Sequence, residues 1–206
     1  MPIYKSRVEA DYKWAIWKLT ETLPELLAMF PDGGEMYQSE LDTFSSEYRK
    51  IEWVTVRLLF YKLLGRLVKI AYYPNGKPYL PDGSAYVSIS HTKGYVAVIL
   101  SPTKKVAVDI ERCSERIHKV APRFLSPEEA DFSENSTTCR LLIWSAKESM
   151  FKYIGESNVD FKEHLHIEPT PFGDTSFIVF ETRTTQNQTF IMYYLLDSDF
   201  VMTWML

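Results

Sequence analysis

Residues 85–111 read AYVSISHTKGYVAVILSPTKKVAVDIE. AYVSIS (85–90) and YVAVILS (95–101) are short apolar runs around HTKG, a pattern that predicts a β-hairpin. SPTKK then turns the chain into VAVDIE (106–111), and three such runs in succession predict an antiparallel meander. Side chains alternate faces along a strand, so Asp109 and Glu111 point the same way while Ile110 enters the core. Two adjacent carboxylates repel unless a cation stands between them. Oxygen donors of this kind suit Mg²⁺, which takes one or two carboxylates and completes its shell with water and substrate phosphates. The plain alternative is a strand end that emerges into solvent with ordinary charges.

On either side of this stretch the apolar period changes. Residues 10–20 (ADYKWAIWKLT) fit a strand or a short helix. Residues 22–30 and 39–70 are predicted helices, and in the second Val54, Leu58, Tyr61 and Leu64 recur at helical spacing. Tyr72 and Tyr73 begin an extended piece that the PNG turn at 74–76 stops. SPEEADF (126–132) reads as a helix start, with Ser, then Pro, then acids in the first turn. A further helix is predicted over 138–154, and strands over 175–181, 189–196 and 200–206. Helices and strands fall in separate runs, which indicates the α+β class.

The 206 residues are 46% hydrophobic, enough for one large domain or two small lobes. The sequence has no run of 18 apolar residues, so no membrane span is expected. The opening MPIYKSRVEADYKW lacks the apolar stretch of a secretory signal. Cys113 and Cys139 form no CxxC pattern and read as free thiols in a reducing, cytoplasmic setting. A net charge of −4 argues against nucleic-acid binding. One stretch, Trp53 to Pro81, contains no acid but holds Arg57, Lys62, Arg66, Lys69 and Lys77. Such a stretch suits an anionic ligand or partner, or is simply a solvated face.

Three further segments carry candidate chemistry. WSAKESMFKYIG (144–155) places Trp144, Glu148 and Lys152 at i, i+4 and i+8 of a helix, with Lys147 one step round. By itself this is a surface Glu148–Lys152 ion pair; beside Asp109 and Glu111 it supplies a third acid and cations for phosphate oxygens. VSISHTKG (87–94) puts Ser88 and Ser90 on one face, with His91 opening the turn. NGKPYLPD (75–82) presents Lys77 between a glycine turn and Pro78. His164 and His166, in HLH, have no third ligand nearby and read as strand residues.

Taken in order, GKPYLP, VSISHTKG, VAVDIE, RFLSPEEAD and WSAKESMFKYIG resemble the 4′-phosphopantetheinyl transferase superfamily. The length is similar to its two-lobed class, which includes the surfactin-synthetase-activating enzyme. The resemblance runs from Arg57 through Gly155. It implies Mg²⁺-dependent transfer of the phosphopantetheine arm of coenzyme A to a serine of an apo acyl or peptidyl carrier protein, with release of 3′,5′-ADP. Such carriers serve fatty-acid, polyketide or nonribosomal peptide biosynthesis. It also implies two similar lobes, 1–101 and 102–206, each a small antiparallel sheet packed with helices. A pseudo-twofold would relate them, with coenzyme A in the cleft between, in a monomer.

Residue by residue, the resemblance implies that Asp109, Glu111 and Glu148 hold Mg²⁺, and that Glu148, Asp109 and Lys152 carry catalysis. Lys147, Lys152, Ser90 and His91 would contact phosphates, Lys77 and Pro78 would lie beside the adenine, and Arg57 would contact the ligand from the first long helix. Ala107 stands where relatives often have glycine. Relatives also often carry basic residues ahead of that helix for the 3′-phosphate. This chain has none between Lys18 and Arg49, so either Arg49, Lys50 or Arg57 replaces them or discrimination between coenzyme A and its 3′-dephospho form is poor. The alternative is a non-catalytic carrier-protein or nucleotide-binding relative. A different Mg²⁺-dependent phosphotransferase would need a Walker A or GxGxxG pattern, and neither occurs.

Overall fold

Two long helices carry most of the polar residues of interest, and the same local chemistry fixes both. The first, Glu47–Leu64, starts at Ser46, whose hydroxyl accepts a hydrogen bond from the Arg49 amide. The second, Thr137–Ile154, starts at Ser136, whose hydroxyl accepts from the Cys139 amide. Each ends at a glycine with φ of 72°, Gly65 and Gly155, a left-handed cap that other residues adopt only with strain. The computed structural model describes residues 3–169 and 175–206. It separates into two units, Met1–Lys104 and Lys105–Leu206, each with its own hydrophobic core.

In unit 1, strands β1 (Ile3–Val8), β2 (Lys13–Lys18), β5 (Tyr86–Thr92) and β6 (Tyr95–Ser101) form an antiparallel sheet in the order β1-β2-β6-β5. A two-stranded hairpin, β3 (Ala71–Tyr72) and β4 (Pro78–Tyr79), stands apart from it. The helices are α1 (Leu23–Leu27), α2 (Gln38–Leu41) and α3, the Glu47–Leu64 helix. Helix α3 packs on β2 and β6, burying Leu58 and Leu59 with Trp17, Val96 and Val98. The helix predicted over 39–70 is thus broken by the Ser46 cap and stopped at Gly65. Residues 10–20 resolve to a strand, and β1, with mostly exposed side chains, has too weak an alternation to announce itself.

Unit 2 contains β7 (Ala107–Arg112), α4 (Ile117–Val120), α5 (Pro127–Phe132), the Thr137–Ile154 helix as α6, then β8 (Leu165–Ile167), β9 (Ser176–Glu181), β10 (Thr189–Leu196) and β11 (Phe200–Met205). Its antiparallel sheet runs β7-β11-β10-β9-β8. The predicted meander is therefore corrected: β5 and β6 form the hairpin, but β7 pairs with β11, placing Asp109 opposite Thr203 and Glu111 opposite Val201. The reason lies in the connection. The Ser101 hydroxyl accepts from the amides of Thr103 (3.3 Å) and Lys104 (3.0 Å), closing a turn at the end of β6. The fully buried strand FVMTWM then supplies an apolar partner for AVDI.

Helix α6 packs across β7 and β11 over Leu142, Ile143, Ala146, Met150, Val201 and Met205. Ser145 and Ser149 each meet the Thr203 hydroxyl at 2.9 Å, so three small polar side chains let the helix approach the sheet closely beside Asp109. The fold is mixed, with antiparallel sheets and helices, as the α+β reading expects. No helix among the described residues is long and apolar enough to cross a membrane. Both cysteines are free, and burial pushes the Cys139 thiol up to about 11.

Candidate active site

Strand β7 delivers Asp109 and Glu111 to the edge of α6, and the helix meets them with a matching row. Between Leu141 and Met150 the only positions not fully buried are Trp144 and Glu148. The Trp144 indole Nε1–H donates to Glu111 Oε1 at 2.8 Å. One turn past Glu148, Lys152 Nζ donates to Asp109 Oδ1 at 2.7 Å and to the Val108 carbonyl at 3.1 Å. Trp144 is itself wedged between Phe124 and Phe161, with ring centroids 5.0 and 5.5 Å away. The helix thus gives each β7 acid a donor, Trp144 to Glu111 and Lys152 to Asp109.

The three carboxyls feel one another. Burial, then the Asp109 charge, pushes Glu111 up to about 7, with a further push from Glu148 and partial relief from the Trp144 bond and Lys152. Burial and then Asp109 likewise raise Glu148, while Lys152 opposes the shift. Glu148 makes no side-chain hydrogen bond to another described residue, so of the three it keeps both oxygens for a ligand. Among the described residues no group of three acid, His or Cys side chains is placed to hold a metal ion. The set is nonetheless oxygen-only and mutually repulsive, and Mg²⁺ needs few protein ligands because water and phosphates complete its shell. In donor type alone, oxygen ligands of this kind are those Mg²⁺ takes.

Lys147, expected on coenzyme A phosphates, is a correction. Its side chain has no exposed surface, and Nζ donates to Glu129 Oε2 (2.6 Å), the Phe161 carbonyl (2.7 Å) and the Phe124 carbonyl (2.8 Å). An ammonium has three donors, and all three are taken. Glu129 in turn caps α5 through Ser126 and accepts from the Ile167 amide, so the pair ties α5, α6 and β8 together. Burial lowers the Lys147 affinity for its proton, and Glu129 offsets the effect.

Unit 1 by itself holds a cavity of about 410 Å³. Arg57, Pro78 and His91, all anticipated as ligand contacts, line it together with Arg49, Trp53 and Tyr72. Arg57 is buried; its guanidinium lies 3.2 Å from the Trp53 ring centroid and donates to the Trp53 carbonyl at 3.2 Å. No carboxylate among the described residues pairs with it. Burial weakens its hold on the proton, and Tyr72, then the more distant Glu40 charge, partly offset that. Of the replacements expected for the missing basic residues, Arg49 and Arg57 line the cavity and Lys50 does not.

Two other expected contacts, Ser90 and Lys77, do not line that cavity. Ser90 is buried on the face of β5 opposite Ile89 and His91, the two residues of that strand on the cavity wall. Lys77, half-buried, is flanked by wall residues Gly76 and Pro78 but is not one itself. The basic stretch also divides: Arg57 turns inward, whereas Arg66 bonds Asp82 (2.6 Å) and Ser84 (2.9 Å) at the surface. His166 stacks on Phe180 at 4.6 Å and His164 accepts from the Asp160 amide, so both are structural.

Glu52 was not anticipated. It lies buried on the cavity wall, 3.0 Å from Arg49 Nη1 and 3.4 Å from His91 Nδ1. Its i, i+3 spacing from Arg49 is visible in sequence, but its burial is not. Comparison with curated proteins finds no match for the chain. Residues 105–204, the half that holds the carboxylate cluster, do match the family described as the 4′-phosphopantetheinyl transferase superfamily.

Proposed function

We propose that the protein transfers the 4′-phosphopantetheine arm of coenzyme A to a serine of an apo carrier protein and releases 3′,5′-ADP. The observation that carries this reading is the convergence, inside the segment matching the transferase superfamily, of Asp109, Glu111 and Glu148 with Lys152. Asp109, Glu111 and Glu148 would hold Mg²⁺, which when bound offsets charge on the pyrophosphate and stabilises the leaving ADP. Trp144 keeps Glu111 in place, and Lys152, with its side chain 28% exposed, holds Asp109 while remaining within reach of phosphate oxygens.

The reaction replaces one P–O bond with another. The carrier serine oxygen bonds to the phosphorus that bears pantetheine, and the bond from that phosphorus to the ADP oxygen breaks. The serine proton leaves through a water held by Glu148. Phosphoryl transfer asks the protein mainly for positioning and charge neutralisation, which is what this side-chain set offers. In unit 1, the Arg57 and Arg49 guanidiniums, the His91 ring and the Trp53 and Tyr72 aromatic surfaces would receive an anionic nucleotide in the cavity they line. The chain would act as a cytoplasmic monomer.

Formation of 3′,5′-ADP from coenzyme A tests the reading. Release is expected only with both apo carrier and Mg²⁺, and is expected to stop on chelation. Coenzyme A consumption without carrier would show a different reaction.

A further inference from the structure

Among the described residues Glu52 is the one acid on the wall of the unit 1 cavity, where an anionic ligand would meet it. Its side chain is only 7% exposed, and a carboxylate buried so deeply is costly unless partners compensate. The partners come from two elements. Oε2 accepts from Arg49 Nη1 at 3.0 Å on α3, and Oε1 lies 3.4 Å from His91 Nδ1 on β5. Arg49 and His91 are 55% and 43% exposed, loose enough to sample several rotamers at the wall without an anchor. One buried carboxylate restrains both. The charge balance still favours an anion, because Arg49 and Arg57 stand against a single acid.

We infer that Glu52 is a positioning residue, holding Arg49 and His91 so that, with Arg57, they distinguish a nucleotide bisphosphate from a monophosphate. The inference rests on the coenzyme A reading and concerns selectivity, not the transfer step. An acid that only neutralised its neighbours would compete with an incoming phosphate, so removing its charge would tighten binding. A positioning acid has the opposite effect, and the sign separates the two roles.

Calorimetric titration of the wild-type chain and Glu52→Gln with adenosine 3′,5′-bisphosphate and adenosine 5′-monophosphate tests this. Glutamine keeps the shape and one acceptor oxygen but not the charge. Bisphosphate affinity is expected to fall roughly tenfold, the scale of one misplaced charge-assisted hydrogen bond, and monophosphate affinity by less than about twofold. Unchanged or tighter bisphosphate binding by the folded variant overturns the inference alone. Should Glu52→Gln not fold, a cycle between Arg49→Met and His91→Gln decides. Non-additive losses of selectivity support a shared anchor, and additive losses overturn it. A wild-type chain that binds neither nucleotide overturns the inference together with the coenzyme A reading.

Discussion

Arg57 and Lys147 occupy the same place in two like helices, counted from the capping serine, and both are buried. Their surroundings differ. Lys147 spends its three donors on Glu129 and two carbonyls, all within the protein. Arg57 has the Trp53 carbonyl and ring, the Tyr72 side chain and the more distant Glu40 charge, forms no ion pair with a carboxylate among the described residues, and lines a cavity. A buried cation matched internally is a structural tie; one left with excess charge at a cavity wall is a candidate receptor for an anion. Burial and residue type alone do not tell these apart. The partner set does.

The sharpest way to break this contrast is to compare turnover. Glu148→Gln and Asp109→Asn in unit 2 are expected to lower kcat by roughly 10²–10³-fold, the range for removing one preorganised electrostatic contact at a reacting group. Partial recovery at high Mg²⁺ is expected if they act as ligands. Arg57→Met should instead raise KM for coenzyme A and leave kcat nearly unchanged. Steady-state kinetics decides, and a kcat loss for Arg57→Met comparable to that for Glu148→Gln would erase the distinction.

Stability gives the second comparison. Lys147→Met strands the Glu129 charge in the interior and should cost about 3–5 kcal/mol. Arg57→Met strands no acid and should stay within about 1.5 kcal/mol. Denaturant unfolding of the two variants measures the difference, and equal losses would mean that Arg57 is as structural as Lys147.

The sequence announced unit 2 better than unit 1 for physical reasons. Asp109, Glu111, Glu148 and Lys152 sit at fixed periods on one strand and one helix, so their shared faces follow from geometry alone. Lys147 misled because it is adjacent to Glu148, and adjacency on a helix turns a side chain by about 100°, here into the core. Pairing of β7 with β11 depends on two segments far apart in the chain, a contact that no local pattern encodes. In unit 1, Arg49, Glu52 and His91 come from α3 and β5, and only the fold brings them to one cavity.

Smaller effects test the likeness of the helices. Ser46→Ala and Ser136→Ala each remove a hydroxyl that accepts from the helix's first turn, and each should cost about 1 kcal/mol in thermal unfolding. A silent substitution at one end only would show that end to be held by packing. The smallest expected effect is at Asp82. Hydrogen bonds from Ser84, then from Arg66, hold its carboxyl down at about 2, against an ordinary value of 3.8. Because the folded value is the lower one, the stabilisation is present above 3.8 and is lost as pH falls toward 2. The Ser84 amide resonance should follow that titration, and Asp82→Asn should abolish it.

The most direct measurement is the intact mass of an apo carrier protein after incubation with this chain, coenzyme A and Mg²⁺. A gain of one phosphopantetheine group on the carrier serine is expected with the wild-type chain and is expected to be absent when that serine is alanine. An unmodified carrier, tested across acyl, polyketide and peptidyl types with a folded chain that binds coenzyme A, would contradict transfer and leave a non-catalytic binder.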